Sequence, residues 1–126
     1  MAEGLQKRLQ NELEKYKIVQ KDYQKYLTTR QQLEAQINEN TMVKNELDVL
    51  TEDANVFKMI GPVLIKQDIV EAKSNVQKRI DYINGEIKRH DNTIKELEKK
   101  QEAHRENLTK MQHQFQQAQV KAAARA

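Results

Sequence analysis

Residues 56–67 read VFKMIGPVLIKQ and hold the only proline of the chain. Two apolar runs, rich in β-branched residues, flank Gly61-Pro62. Glycine accepts a positive φ and proline has φ fixed near −65°, so this order suits a two-residue type II′ turn with glycine first. Such a turn predicts a β-hairpin in which Ile60 faces Val63, Met59 faces Leu64 and Phe57 faces Lys66. One face then presents Phe57, Met59 and Leu64, and the other Val56, Ile60, Val63 and Ile65. Both faces are apolar near the turn. A lone two-stranded hairpin is marginal in water and leaves two open edges. The economical cover is an equivalent hairpin from another subunit, so the segment is expected to be an assembly element. The plainer alternative is a connecting loop tucked onto its own helices.

The flanks read as helix. Asp53, Ala54 and Asn55 favour caps and turns, and Asp68 suits an N-cap with Glu71 three residues on. The expected organisation is one domain over residues 1–126. It comprises a helix over about 3–54, a β-hairpin over about 55–67, a helix over about 68–121 and a frayed tail at 122–126. In the first helix, Leu9, Leu13, Tyr16, Val19, Tyr23, Leu27, Leu33, Ile37, Val43, Leu47 and Leu50 recur at spacings that build one apolar stripe. Gln20, Arg30 and Asn40 fall at or near it, where polar residues cost stability and help fix register. In the second helix, Ile80, Ile83, Ile87, His90, Ile94, Leu97, Gln101, His104, Leu108, Met111, Phe115 and Ala118 step by three and four, as in a coiled-coil heptad. Upstream, Ile69, Ala72 and Val76 continue with a stutter, since 72, 76 and 80 are two fours in succession. Each narrow stripe needs a partner. The fold class is therefore mainly α: a long antiparallel two-helix coiled coil, each arm about 80 Å long at 1.5 Å per residue, with one central β-hairpin.

Composition agrees with this and closes off other classes. A third of the 126 residues are charged, 37% are hydrophobic and there is no tryptophan, which suits exposed helices better than a wide core. With no cysteine, disulfides and thiolate metal sites are excluded. The amino-terminal stretch is charged from its third residue and does not read as a signal peptide. No apolar run approaches the roughly 20 residues that cross a bilayer. A cytoplasmic location and no membrane partner are therefore expected. The net charge of +3 divides as −2 over residues 1–54, +2 over 55–67 and +3 over 68–126. That is too even for a nucleic-acid face.

Other motifs carry little chemistry. His90 and His104 stand about 21 Å apart along a helix and cannot share an ion, and His113 lies off the stripe. Asn107-Leu108-Thr109 matches a glycosylation sequon, but no secretory signal accompanies it. No glycine-rich phosphate loop occurs, and the carboxylates are scattered along solvated faces. No enzyme activity, cofactor or metal is expected. Lys99, Lys100 and Arg105 read as solvated bases with local partners such as Glu96 and Glu102.

Two long helices around VFKMIGPVLIKQ, together with EKYKIVQKDYQK, EAQINEN and KRIDYINGEIKRHD, resemble the β-type subunits of eukaryotic prefoldin over essentially the whole chain. A single hairpin marks the β class, since α-type subunits carry two. The resemblance implies a hexamer of two α-type and four β-type subunits, whose hairpins form a platform bearing six coiled coils. It further implies an ATP-independent holdase that binds unfolded actin, tubulin and other chains at the coil tips and delivers them to the cytosolic group II chaperonin. On this basis the oligomer interface comprises Val56, Phe57, Met59, Ile60, Val63, Leu64 and Ile65. The client-binding tip comprises Leu5, Leu9 and Leu13 with Met111, Phe115 and Val120, every one of which also fits the coil seam. The competing readings are a coiled-coil structural tether or scaffold and, from another class, a basic arm that binds RNA.

Overall fold

The computed structural model describes residues 2–125. The chain folds as α1 (Ala2–Asp48), β1 (Val56–Ile60), β2 (Val63–Gln67) and α2 (Ile69–Arg125). It is built as two compact units. One joins the stretch up to Thr28 to the stretch from Asp91, and the other spans Thr29–His90.

In the first unit the two helices run antiparallel, with Glu12 beside His104 and Tyr23 beside Glu98. Ile94, Leu97 and Leu108 are buried. Gln101, His104, Met111, Phe115 and Ala118 are half-buried, so the heptad seam of α2 lies where its spacing predicts. On the α1 side, Leu5, Leu9, Tyr16, Val19 and Tyr23 are half-buried and Glu12 is buried. The expected stripe had Leu13 in place of Glu12. Leu13 is instead 41% exposed. From Leu9 the heptad advances three residues to Glu12, and the carboxylate is accepted there because His104 faces it. Gln20, expected near the seam, is exposed.

In the second unit Leu47, Ala72 and Val76 form a small core, with Val56 and Ile80 packed against it. Ile69 and Ile83 are buried as well, and the two successive four-residue steps at 72, 76 and 80 stay inward. Arg30, Leu33, Ile37, Asn40 and Lys44 are half-buried on α1. Lys44 takes the place expected for Val43, which is exposed. A lysine stem can cover an apolar seam while its ammonium reaches water.

The first helix ends at Asp48, six residues short of the expected 54. The physical reason lies in the period. Beyond Leu47 the three-four step falls on Thr51, which is polar and exposed, so the apolar stripe has run out, and Leu50 is off it and 40% exposed. The chain turns instead. Leu50 N–H donates to the Leu47 carbonyl at 3.2 Å, and Ala54 N–H to the Thr51 carbonyl at 3.0 Å. Asp68 directly precedes α2, and its carbonyl accepts the Ala72 N–H at 2.8 Å. At the other end α2 continues to Arg125, past the expected limit of 121. Ala122–Ala124 are the strongest helix formers and keep the last turn wound. Ala126, the last residue of the expected tail, lies outside the described residues.

Candidate subunit interface

β1 and β2 pair antiparallel in the register Val56–Gln67, Phe57–Lys66, Lys58–Ile65, Met59–Leu64 and Ile60–Val63. That is the pairing the turn chemistry demands. Gly61 has φ +57°, the left-handed value that the first central position of a type II′ turn requires and that side chains resist. Directly opposed residues share a face. Phe57, Met59, Leu64 and Lys66 therefore line one side, and Val56, Lys58, Ile60, Val63, Ile65 and Gln67 the other.

Among the described residues the sheet has these two strands, so β1 and β2 each keep one unpaired edge there. Its apolar side chains are exposed on both faces: Phe57 54%, Met59 71%, Ile60 53%, Val63 54%, Leu64 60% and Ile65 48%. An ordinary protein surface scatters single apolar residues, whereas a contiguous patch of this kind marks an interaction site. Val56 differs from the rest. It is half-buried against Leu47, Ala72 and Val76, so its inward side already serves the chain's own core.

The exposed apolar surface extends beyond the hairpin, where the expected helix would have hidden it. Val43, Val49, Leu50, Val56 and Phe57, with Glu46, line a groove of about 480 Å³. Val49 is 81% exposed and Met42 64%. The off-period apolar residues Val43 and Leu50 were the available sequence signal, masked by assigning both to the seam.

The expected tip residues divide in the first unit. Leu5, Leu9, Met111 and Phe115 are half-buried in the seam, while Leu13 and Val120 are exposed, Val120 at 68%. Two polar pairs bridge the helices there. His104 Nδ1 lies 2.5 Å from Glu12 Oε1. This bond, opposed by desolvation and helped by the nearby His104 charge, Asn107 and Lys15, holds the Glu12 carboxyl below its ordinary range. Tyr23 Oη donates to Glu98 Oε1 at 3.1 Å, which raises the phenol. In the second unit, His90 Nδ1 lies 2.8 Å from the Glu86 carbonyl and is its donor. Arg105 bonds Glu102 at 3.1 Å, the local pairing expected for that base. No group of three or more metal-ligating side chains gathers among the described residues. No described helix is long and apolar enough to cross a membrane.

The family described as "Prefoldin subunit" matches residues 10–115. Prefoldin subunit 6 of Homo sapiens is 50% identical over 120 residues, covering 95% of this chain and 93% of that protein. Prefoldin subunit 6 of Arabidopsis thaliana is 46% identical over 116 residues, covering 92% and 90%. Among solved structures, the prefoldin beta subunit from Thermococcus strain KS-1 shares the fold with a TM-score of 0.58 at 21% identity, over 88% of this chain and 91% of that one. Two long helices joined by one exposed β-hairpin are thus the architecture of a known β subunit, and the chain belongs to the prefoldin subunit family.

Proposed function

We propose that the chain is a β-type subunit of the hexameric prefoldin co-chaperone, joined to α-type and other β-type subunits through Phe57, Met59, Ile60, Val63, Leu64 and Ile65, with Val56 at the base. One observation carries the reading: a β-hairpin apolar on both faces and open on both edges. Its own helices supply only the cluster under Val56. In the assembly the chain acts as an ATP-independent holdase in the cytoplasm. Its distal coil ends, with Leu5, Leu9, Leu13, Met111, Phe115 and Val120, contact unfolded actin, tubulin and other chains, which pass to the group II chaperonin. The exposure of Leu13 and Val120 supports this placement. Weak apolar contacts on several arms combine through multivalency, so no single deep pocket is needed.

The test is native mass after co-expression with the other prefoldin subunits, for wild type and Phe57→Asp. Moving a carboxylate into an apolar contact costs several kcal/mol when it is left unpaired, so the variant should keep its helices and fail to join a hexamer. Normal hexamers from Phe57→Asp would reject the hairpin as the assembly element. A wild-type chain that forms only a homodimer would favour the structural tether. Truncating residues 1–9 and 116–126 should leave the hexamer intact and weaken suppression of client aggregation. Undiminished suppression would reject the tip assignment.

A further inference from the structure

The surface of α2 changes character at Asn107. Residues 92–106 hold eight Asp, Glu, Lys or Arg side chains, whereas residues 107–121 hold two, Lys110 and Lys121, together with five glutamines, at 112, 114, 116, 117 and 119. From Asn107 to Ala126 the sequence carries Lys110, Lys121 and Arg125 and no carboxylate. Met111, Phe115 and Ala118 are half-buried in the seam, and all five glutamines are exposed. At 3.6 residues per turn, Val120 falls on the side of α2 away from that seam. There His113, Gln116, Gln117, Val120 and Lys121, all from α2, line a groove of about 390 Å³.

We infer that this amide-lined face holds the main chain of an extended, neutral or acidic stretch of unfolded polypeptide. A glutamine amide offers two N–H donors and a carbonyl acceptor, the same kinds of group that an unpaired backbone presents at each residue. The spacing also matches. Residues four apart on a helix lie about 6 Å apart along its axis, and an extended chain repeats the groups on one side about every 6.8 Å. Gln112 and Gln116 make one such row, continued by Val120, and His113, Gln117 and Lys121 make a second beside it. Gln117 Nε2 lies 3.2 Å from His113 Nε2, so a side chain of this row reaches a polar partner at that spacing. Neutral amides read no particular side chain, and a stretch with bases and no carboxylate attracts acidic segments rather than repelling them. Val120 adds an apolar contact. The face is open while the coil is closed, whereas Leu5, Leu9, Met111 and Phe115 are held in the seam. The inference rests on the holdase reading and adds what the distal surface recognises: backbone, through α2 alone.

The test compares the hexamer containing the wild-type chain with one containing the triple variant Gln112→Ala, Gln116→Ala and Gln117→Ala. Alanine is the strongest helix former, so α2 is kept, and circular dichroism checks this. Two short, unstructured fluorescent peptides serve as probes, both bearing apolar residues and carboxylates. They share every side chain, but in the second alternate backbone amides are replaced by esters, which removes those N–H donors. Binding is read by fluorescence anisotropy. The wild-type hexamer should bind the ester peptide about tenfold more weakly than the amide peptide. The variant should bind the amide peptide about tenfold more weakly than wild type does, and separate the two peptides by about twofold or less. Equal discrimination by the two hexamers, or an unchanged affinity in the variant, would overturn the inference. Weaker chaperonin binding with peptide affinity unchanged would overturn it too, by giving the face to a folded partner. A wild-type hexamer that binds neither peptide would also overturn it. If that hexamer still suppresses client aggregation, the holdase reading stands and the backbone contact alone is removed; if it does not, both fall.

Discussion

Glu12 and His104 form the one layer of the distal coil where the structure departs from an apolar seam in a way that can be weighed. Glu12 is 8% exposed, and the side chains of Glu12 and His104 retain 10% and 24% of their accessible area. His104→Leu would leave the carboxylate in the seam without its nearest donor. Hydrogen bonds to charged groups are worth about 1.5–3 kcal/mol, and an unpaired buried charge costs more. Here the layer is only two helices thick. Close neighbours cover the carboxylate, but water remains a short distance away, so the lower part of that range applies, about 2 kcal/mol. Glu12→Leu removes the carboxylate and leaves the His104 imidazole without that partner, at a cost of about 1 kcal/mol before the gain from the new leucine. Replacing both, Glu12→Leu with His104→Leu, restores an apolar layer and should match or exceed wild type, as buried pairs often do when exchanged for packed apolar groups.

Urea unfolding followed by far-UV circular dichroism of the wild type, the two single variants and the double variant closes the cycle. The single losses should not add. A coupling of at least about 1.5 kcal/mol is expected, with the His104→Leu variant the least stable of the four. Additivity within about 0.5 kcal/mol would refute the reasoning, because it would mean that the 2.5 Å contact contributes nothing the separate side chains do not.

The same pair predicts an acid limb. The folded carboxyl of Glu12 is held below its ordinary range, so its contribution is present above the unfolded value and is lost as pH falls through the lower folded value. Thermal melts across pH 5 to 2 should therefore show a steeper loss for wild type than for Glu12→Gln. Gly85 lies inside α2, and an added Cβ would meet only Arg89 Nη2, at 3.9 Å. Gly85→Ala should stabilise the chain by about 0.5–1 kcal/mol, read as a higher urea midpoint. Gly61→Ala has open space around it but must adopt φ +57°, at a cost of about 1–2 kcal/mol. It should lower the yield of hexamer in native mass measurements while leaving helix content unchanged.

The second helix was legible almost residue by residue because the expected seam positions from Ile80 to Ala118 follow an unbroken three-four step, and all of them are buried or half-buried. The β-hairpin was equally legible, since Gly61-Pro62 allows few turns and a two-residue turn fixes all five pairs. The first helix was harder for a definite reason. Its seam carries Glu12, Arg30, Asn40 and Lys44, and in two places a more apolar neighbour, Leu13 or Val43, stands one residue away. Reading by apolarity chose the neighbour. The true choice depends on what faces it, as His104 faces Glu12, and a single helix period does not contain that information. The end of α1 was missed on the same grounds: Leu50 looked like one more seam residue, although the period had already passed to Thr51. That error hid the groove of Val43, Val49 and Leu50.

The energetics of the hairpin say what kind of assembly it can support. Six apolar side chains are about half exposed or more. Completing the burial of each is worth roughly 1 kcal/mol, from about 1.5–3 kcal/mol for a full transfer. One hairpin meeting one other across a single edge would cover only some of these and must still offset an association cost of about 4–15 kcal/mol. A lone pair of subunits is therefore weak. Both edges of each hairpin must be paired, and both faces covered, before the gain exceeds the cost with a margin. Closure of several hairpins into one structure achieves this because it leaves no edge unpaired, and each added contact is then made within the same particle. Partly assembled species should accordingly be scarce at equilibrium. A titration of this chain into its partner subunits should pass from free chains to complete particles, and a dominant population of dimers along the way would mean that the hairpin is covered by something other than its neighbours.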